Sequence, residues 1–460
     1  MTTVDAARGA APGVETPGIA AADIYPDTTR VDTDGRVFVG GCDLEVLAAT
    51  YGTPLYVYDR ETIVDRARSF RVGLAGAYPG RSTVCYASKA YSAPWLLRLL
   101  ASEGIGLDVV SGGELHVAMS VGFPSERIYL HGNNKSDEEL EAALDVGIGR
   151  VVVDNLDEIA LLGRMASKRG VRQPVLVRVS PGVDAHTHAH LHTGGLDTKF
   201  GLGIATGQAA EGVRAALAEP GLDVRGIHAH IGSQIDDLGP YAVALQRLFD
   251  FAAEMERETA FRLRELSPGG GYAVRYVPAA APVSARHMVA ALGELVAAAA
   301  DRAGLREGLP ALTIEPGRSM VAPSAVAVYR VGSVKAIPGG RTYVAVDGGM
   351  ADNIRPTAYG AEYTAVLAGR AHEPADSEVA IAGKYCETGD VLIQRIELPR
   401  PRVGDVVAIP AAGAYHLAMA SNYNMAPRPA VIVVADGEAT LVRRRETYAD
   451  LLAAEDPAPA

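Results

Sequence analysis

The chain of 460 residues is 48% hydrophobic and carries a formal net charge of −12, which allows more than one average domain and opposes the basic footprint of a nucleic-acid-binding surface. Its apolar stretches are broken by charge or glycine well before the ~20 residues that span a bilayer, and it lacks the basic segment and apolar core of a secretory signal. Cys42, Cys85 and Cys386 are too few and too scattered for a disulfide framework, so a reducing, cytoplasmic setting is expected, with neither nucleic acid nor membrane as partner.

Residues 1–25 are rich in Ala, Gly, Pro and Thr without periodicity and are expected to form a disordered tail. In the following segment, 26–59, strands at Arg36–Val39 and Pro54–Tyr58 flank a short helix over Asp43–Tyr51. A long helix from about Glu61 to Ala75 opens the next region, 60–318, in which eight apolar runs alternate with helical stretches. The runs are Val84–Ala87, Ile105–Val110, Ile128–His131, Val151–Asp154, Val175–Ser180, Gly226–Ile231, Leu263–Ser267 and Leu312–Glu315. Helices are predicted between them near 92–103, 112–121, 136–146, 156–169, 205–218, 238–258 and 286–303, with Ser136 and Asn155 as N-caps ahead of acidic first turns. Eight parallel strands separated by helices predict a closed (β/α)8 barrel, whose chemistry sits at the C-terminal rim of its strands.

After Arg318 the texture changes. Strand-like runs at Val326–Val334, Thr342–Val346, Glu378–Ala382, Asp390–Glu397, Val406–Pro410, Ala430–Val434 and Ala439–Val442 predict a mostly β-stranded domain over 319–460. The early strands at 36–39 and 54–58 are expected to join it. No tandem repeat is present.

The chemistry-bearing residues fall just past the ends of the barrel runs. Lys89 follows the first; a lysine there either stays a solvated loop residue or, desolvated, offers its amine for Schiff-base chemistry. Gly232-Ser233 and Gly269-Gly270-Gly271 end the sixth and seventh, where glycines let backbone N–H groups approach a phosphate, although a Gly triplet also serves as a plain turn. Glu315-Pro316-Gly317-Arg318 ends the eighth: a carboxylate for a protonated ring nitrogen and a guanidinium for an anion, or a structural ion pair. His228 and His230 share a face of the sixth strand, His230 at the rim where it can stack on a flat ring and His228 as a hydrogen-bonded barrel-lining residue. His186, His188, His190 and His192 alternate, as metal ligands on a strand would, but no cysteine or carboxylate cluster completes a set, so no metal site is expected. In the β-domain, Arg355 and Tyr359, Cys386 and Glu387, and Tyr423 stand out in otherwise polar loops.

Together these segments resemble the pyridoxal-phosphate-dependent decarboxylases of the alanine-racemase barrel type, and within them the diaminopimelate decarboxylases. The resemblance covers nearly the whole chain after about residue 35. It is carried by Tyr86-Ala87-Ser88-Lys89, His131-Gly132-Asn133-Asn134-Lys135, Pro181-Gly182-Val183-Asp184, Lys199-Phe200-Gly201, His230-Ile231-Gly232-Ser233-Gln234, Glu315-Pro316-Gly317-Arg318, Asn353-Ile354-Arg355-Pro356, Cys386-Glu387 and Ser421-Asn422-Tyr423-Asn424. Tyr91 stands where asparagine is frequent after the lysine motif, Ser180 where asparagine is common, and Glu387-Thr388-Gly389 replaces a serine-rich turn.

The resemblance implies pyridoxal 5'-phosphate as cofactor and decarboxylation of meso-2,6-diaminopimelate to L-lysine. It implies that Lys89 carries the cofactor, that His230 covers its ring, and that Glu315 meets the ring nitrogen. Ser233, Gly270, Gly271, Gly317, Arg318 and Tyr423 complete the cofactor set; Arg318, Arg355, Tyr359, Glu387 and Tyr423 bind substrate; Lys89, His230 and Cys386 are the catalytic residues. It further implies a homodimer whose sites share Cys386 and Glu387 across subunits. Decarboxylases of other diamino acids or carrier-bound amino acids share the cofactor set. A regulatory carrier without turnover would not need Cys386 and Glu387, and a racemase would need a second, differently placed base.

Overall fold

The computed structural model describes residues 3–4, 22–183, 199–278 and 284–455. The alternating histidines at 186–192 and Thr193-Gly194 therefore lie outside the described residues. The chain divides into two compact units, one of Arg66–Ala273 with Val283–Ser319, the other of Met1–Asp65 with Val274–Pro282 and Met320–Ala460.

The first unit is the predicted barrel. Its strands are β1 (Ser82–Ala87), β2 (Gly106–Val109), β3 (Ile128–Leu130), β4 (Arg150–Val153), β5 (Gln173–Ser180), β6 (Leu222–His228), β7 (Glu265–Gly269) and β8 (Ala311–Ile314). Each pairs in parallel with the next, and β8 returns to β1, Leu312 opposite Ser82, so the sheet closes. Strands covered on both faces read as unbroken apolar runs, which is why this part of the sequence is so legible. Cys85, Tyr129, Val152 and Leu176 form one buried cluster of its core.

The helices between strands start where the caps dictate. In α1 (Asp137–Val146) Ser136 accepts from the Glu139 N–H while the Glu139 carboxylate takes the Ser136 N–H, and Gly147 ends the helix in the left-handed region at φ 64°. In α2 (Leu156–Lys168) the Asn155 side chain accepts from the Glu158 N–H at 2.9 Å. Beyond these, α3 (Gln208–Ala218), α4 (Gly239–Glu258) and α5 (Ala285–Ala303) complete the later crossovers.

The second unit is built on a ten-stranded sheet. Its spine is β9 (Ala325–Ala336), which pairs antiparallel with Leu55–Asp59, with β10 (Thr342–Val346) and with β13 (Val406–Ile409). On one side follow β11 (Ser377–Ala382) and β12 (Val391–Leu398); on the other, β14 (Ala430–Ala435) and β15 (Glu438–Arg443).

Three features differ from expectation. Val37–Val39 does not join the large sheet; it pairs with Arg30–Val31 and Cys42–Asp43 in a small three-stranded sheet, because Gly40-Gly41 turns the chain straight back on itself. Within the stretch read as a tail, Thr3 and Val4 pair with Thr440 and Ala439, and Ile24 and Tyr25 are buried. The segment after β7 leaves the barrel unit: Tyr276 packs edge-on against Tyr363, ring centres 5.2 Å apart.

In the loop between β3 and α1 the Lys135 ammonium is buried and uses its three protons on the Gly132 and Val152 carbonyls (2.8 and 2.7 Å) and the Glu158 carboxylate (2.6 Å). Such a pair is costly to break because the survivor is left buried and charged. Lys135→Ala is expected to lower the unfolding free energy by about 3–5 kcal/mol; urea denaturation followed by circular dichroism would measure it.

Candidate active site

One carboxylate organises the barrel mouth. Glu315, one residue past β8, is 6% exposed. Its Oε1 accepts from the Ser267 hydroxyl on β7 at 2.7 Å, and its Oε2 lies 3.0 Å from His228 Nε2 on β6. Three neighbouring strands thus place these side chains together. Burial pushes the Glu315 carboxyl up, but His228 and His131 and the hydrogen bonds from His228 and Ser267 outweigh it, so the group stays well below the ordinary carboxylate range.

Across the mouth, Asp108 on β2 and His131 just past β3 are each 4% exposed. His131 Nε2 sits 3.7 Å from both Asp108 Oδ1 and Glu315 Oε1, too far for a hydrogen bond to either. Its ring meets that of His228 edge-on at 4.8 Å. Burial, then the Glu315 charge, raises the Asp108 carboxyl well above its ordinary value, eased by the Lys89 ammonium. Burial likewise holds His131 neutral. Two buried carboxylates close to one ring are therefore driven to opposite protonation states, a pattern typical of sites that do acid–base work.

His230, two residues beyond His228, is half-buried. Burial and the Lys89 ammonium push it down to about 3, against the pull of Glu315, so it presents an uncharged ring. The Gly270 N–H donates to its Nδ1 at 3.4 Å, which favours the tautomer protonated on Nε2. Lys89 stands in the short turn Ser88–Ala90 that directly follows β1, exposed, and its charge acts on Asp108, Glu114 and His230.

The glycines at the rim are there for space. A Cβ on Gly270 would lie 1.9 Å from the Glu315 carbonyl oxygen, and one on Gly271, at φ +107°, 2.3 Å from that of Gly232. Gly317 likewise leaves no more than 2.9 Å to the Ala87 Cβ. The Tyr241 hydroxyl on α4 donates to the Gly270 carbonyl at 2.7 Å and pins this turn. Arg318 donates to the Ser233 hydroxyl at 3.3 Å. His131, His228 and Glu315 also offer ligand atoms within 4.8 Å of one another, but Glu315 is already held by direct hydrogen bonds from His228 and Ser267.

Do these residues fit a pyridoxal phosphate? Asp108 Oδ1 and His131 Nε2 are buried and, among the described residues, have no hydrogen-bond partner, as polar atoms that receive a ligand do. An ionised buried carboxylate, an uncharged imidazole, a lysine and a backbone cradle closed to side chains are the groups such a cofactor needs. They fit.

The remaining sequence-predicted residues lie in the β unit. Arg355 begins the short helix Arg355–Tyr359 and is 7% exposed, its guanidinium 4.7 Å from the centre of the Tyr276 ring and hydrogen-bonded to the Tyr363 hydroxyl. Among the described residues no carboxylate pairs with it. Tyr359, at the helix end, is 67% exposed. Cys386 and Glu387 are exposed on the turn between β11 and β12, which Asp390 braces by accepting from Met350 N–H at 2.7 Å and Tyr385 N–H at 2.8 Å. The Thr357 hydroxyl donates to the Gly389 carbonyl at 2.8 Å, tying the helix to that turn, and the Tyr385 and Tyr423 rings lie 6.1 Å apart. Sequence reading missed Asp108, which faces His131, Ser267, which donates to Glu315, and Tyr363, which accepts from Arg355. Acids inside apolar runs, Asp108 above all, were the available signal.

Residues 60–322 match the model of the pyridoxal-dependent decarboxylase family, pyridoxal binding domain. The chain is 46% identical to the diaminopimelate decarboxylase of Bacillus subtilis over 94% of its length and 97% of that protein. It is 41% identical to that of Mycobacterium tuberculosis over 95% and 98%. A crystal structure of diaminopimelate decarboxylase from M. jannaschii in complex with L-lysine superposes with a TM-score of 0.87, at 34% identity, covering 94% of this chain and 98% of that one.

Borohydride treatment of the protein loaded with pyridoxal phosphate is expected to fix the cofactor on Lys89, seen as a mass shift of the peptide that contains it. Lys89→Ala protein should give no such adduct; retention on another lysine would overturn the assignment.

Proposed function

As a member of the pyridoxal-dependent decarboxylases, and among them of the diaminopimelate decarboxylases, the chain is a carbon–carbon lyase that uses pyridoxal phosphate, and we propose that its residues divide the decarboxylation of meso-2,6-diaminopimelate to L-lysine as follows. When bound, the cofactor supplies a protonated pyridine ring that takes up the electron pair left as CO2 departs. Lys89 would hold the cofactor through its side-chain amine until a substrate amine takes its place. The uncharged His230 would cover one face of the ring, adding no positive charge beside a protonated ring nitrogen. Ser233, Gly270, Gly271, Gly317, Arg318 and Tyr423 bind the phosphate end. Glu315, ionised through the physiological range, keeps the proton on the ring nitrogen, and Ser267 and His228 hold it in place.

Arg355 carries the substrate assignment. A buried guanidinium without a carboxylate partner among the described residues suits a ligand that brings one, and the remote carboxylate separates diaminopimelate from simple diamino acids. Arg318 and Tyr359 assist at that end, Glu387 neutralises the remote ammonium, and Cys386 returns a proton to the reacting carbon. Cys386 and Glu387 are exposed and act on the partner subunit's site, which makes the working enzyme a homodimer in the cytoplasm.

Glu315→Gln is expected to keep its cofactor but to lose roughly 10²–10³ in kcat, the cost of one preorganised charge-assisted contact in the transition state. Steady-state lysine release measures this, and unchanged turnover would show that the ring is not tuned from this position. Against D-lysine, which has the same reacting end but no remote carboxylate, the enzyme should favour meso-diaminopimelate by about 10⁴–10⁵ in kcat/KM, because its own polar groups would be left unmatched. Arg355→Ala should narrow that gap mainly by harming diaminopimelate. Equal use of both substrates would overturn the assignment.

A further inference from the structure

Arg355 is the visible end of a longer buried assembly. The Tyr363 hydroxyl that receives its N–H lies 2.8 Å from His416 Nε2; His416 Nδ1 lies 3.2 Å from the Tyr56 hydroxyl; and Tyr56 donates to Asp352 Oδ2 at 3.3 Å and to the Asp352 carbonyl at 3.1 Å. The Tyr329 hydroxyl donates to the same Oδ2 at 2.5 Å, and the Gly349 N–H to Oδ1 at 3.0 Å. Tyr56, Tyr329 and His416 are fully buried, Asp352 is 2% exposed and Tyr363 4%.

The direction of the protons follows from the two ends. A guanidinium only donates and an ionised carboxylate only accepts. The series is satisfied throughout when Tyr363 donates to His416 Nε2, the His416 Nδ1–H donates to Tyr56, and Tyr56 donates to Asp352. Arg355 and Asp352 are three residues apart in sequence, yet they are joined through space by groups from the strand Leu55–Asp59 and from the loops carrying Tyr363 and His416. Serial hydrogen bonds in a low dielectric polarise one another, so the anion at one end strengthens the grip on the cation at the other.

We infer that Tyr363, His416, Tyr56 and Asp352 are positioning residues for substrate selectivity: they fix the Arg355 guanidinium in the orientation that receives a remote substrate carboxylate. The inference rests on the reading of Arg355 given above. The network touches no reacting atom, so its loss weakens binding of molecules that carry this carboxylate and leaves the chemical step alone. Ordering the guanidinium beforehand also removes a cost that would otherwise fall on substrate binding.

The test uses the cofactor-loaded enzyme and two competitive inhibitors. L-Lysine retains the remote carboxylate; 1,5-diaminopentane lacks it. Tyr363→Phe, which removes one hydroxyl at nearly constant volume, is expected to raise KM for meso-diaminopimelate and Ki for L-lysine about tenfold. kcat and the Ki of 1,5-diaminopentane should stay within about twofold. His416→Leu should behave alike, and His416→Gln, which keeps a donor and an acceptor, should restore part of the loss. Tyr363→Phe added to Arg355→Ala should cost nothing further. If His416→Leu does not fold, Tyr363→Phe and His416→Gln carry the test. Unchanged KM in a folded, cofactor-bearing Tyr363→Phe overturns the proposal, as does an equal loss toward both inhibitors, the mark of general damage. If Arg355→Ala itself leaves the two inhibitors' ratio unchanged, the carboxylate reading of Arg355 fails first, and the proposal with it.

Discussion

A carboxylate kept ionised at 6% exposure must be matched by donors fixed before any ligand arrives, and Glu315 draws them from Ser267 on β7 and His228 on β6, the two strands that precede β8 in the sheet. That requirement dictates much of the barrel mouth. It sets His228, at the end of β6, directly opposite Ser267 on β7. It keeps Asp108 from ionising at the same time, since burial and the Glu315 charge both oppose it. The neighbouring His131 and His230 stay uncharged for a separate reason: burial disfavours their cationic form and outweighs the pull of Glu315.

The β unit solves the opposite problem. Arg355 is a buried cation, and among the described residues its partners are two aromatic faces and a phenol, Tyr276 and Tyr363, with Asp352 at the far end of a hydrogen-bonded series. Aromatic faces stabilise a guanidinium without cancelling its charge, which suits the carboxylate-binding role proposed for Arg355. Asp352, pushed up to about 6 by burial and held down by Tyr329, Gly349 and Tyr56, is the only carboxylate in that series.

How much of this was legible beforehand depends on how local each feature is. The eight barrel strands emerged within a few residues of their observed ends, because parallel strands covered on both faces must be apolar along their length. The caps at Ser136 and Asn155 were equally plain, since capping is decided within four residues. Val37–Val39 has the composition of any strand, and nothing in its own residues distinguishes a place in the large sheet from a local hairpin. The segment around Tyr276 follows a barrel strand in sequence, and its place with Tyr363 was invisible for the same reason.

The sequence by itself determined the barrel, the β-rich second unit and the residue kinds at the rim, because strand periodicity, turn glycines and short motifs are properties of neighbours along the chain. Only the tertiary structure decided which of two buried acids is ionised, that His228 and Ser267 support Glu315, and that Arg355 is tied to Asp352 through His416. Those outcomes depend on distances between residues tens to hundreds of positions apart and on the exclusion of water around them. Both arise only when a closed sheet brings its strand ends into one ring and a folded core removes the solvent.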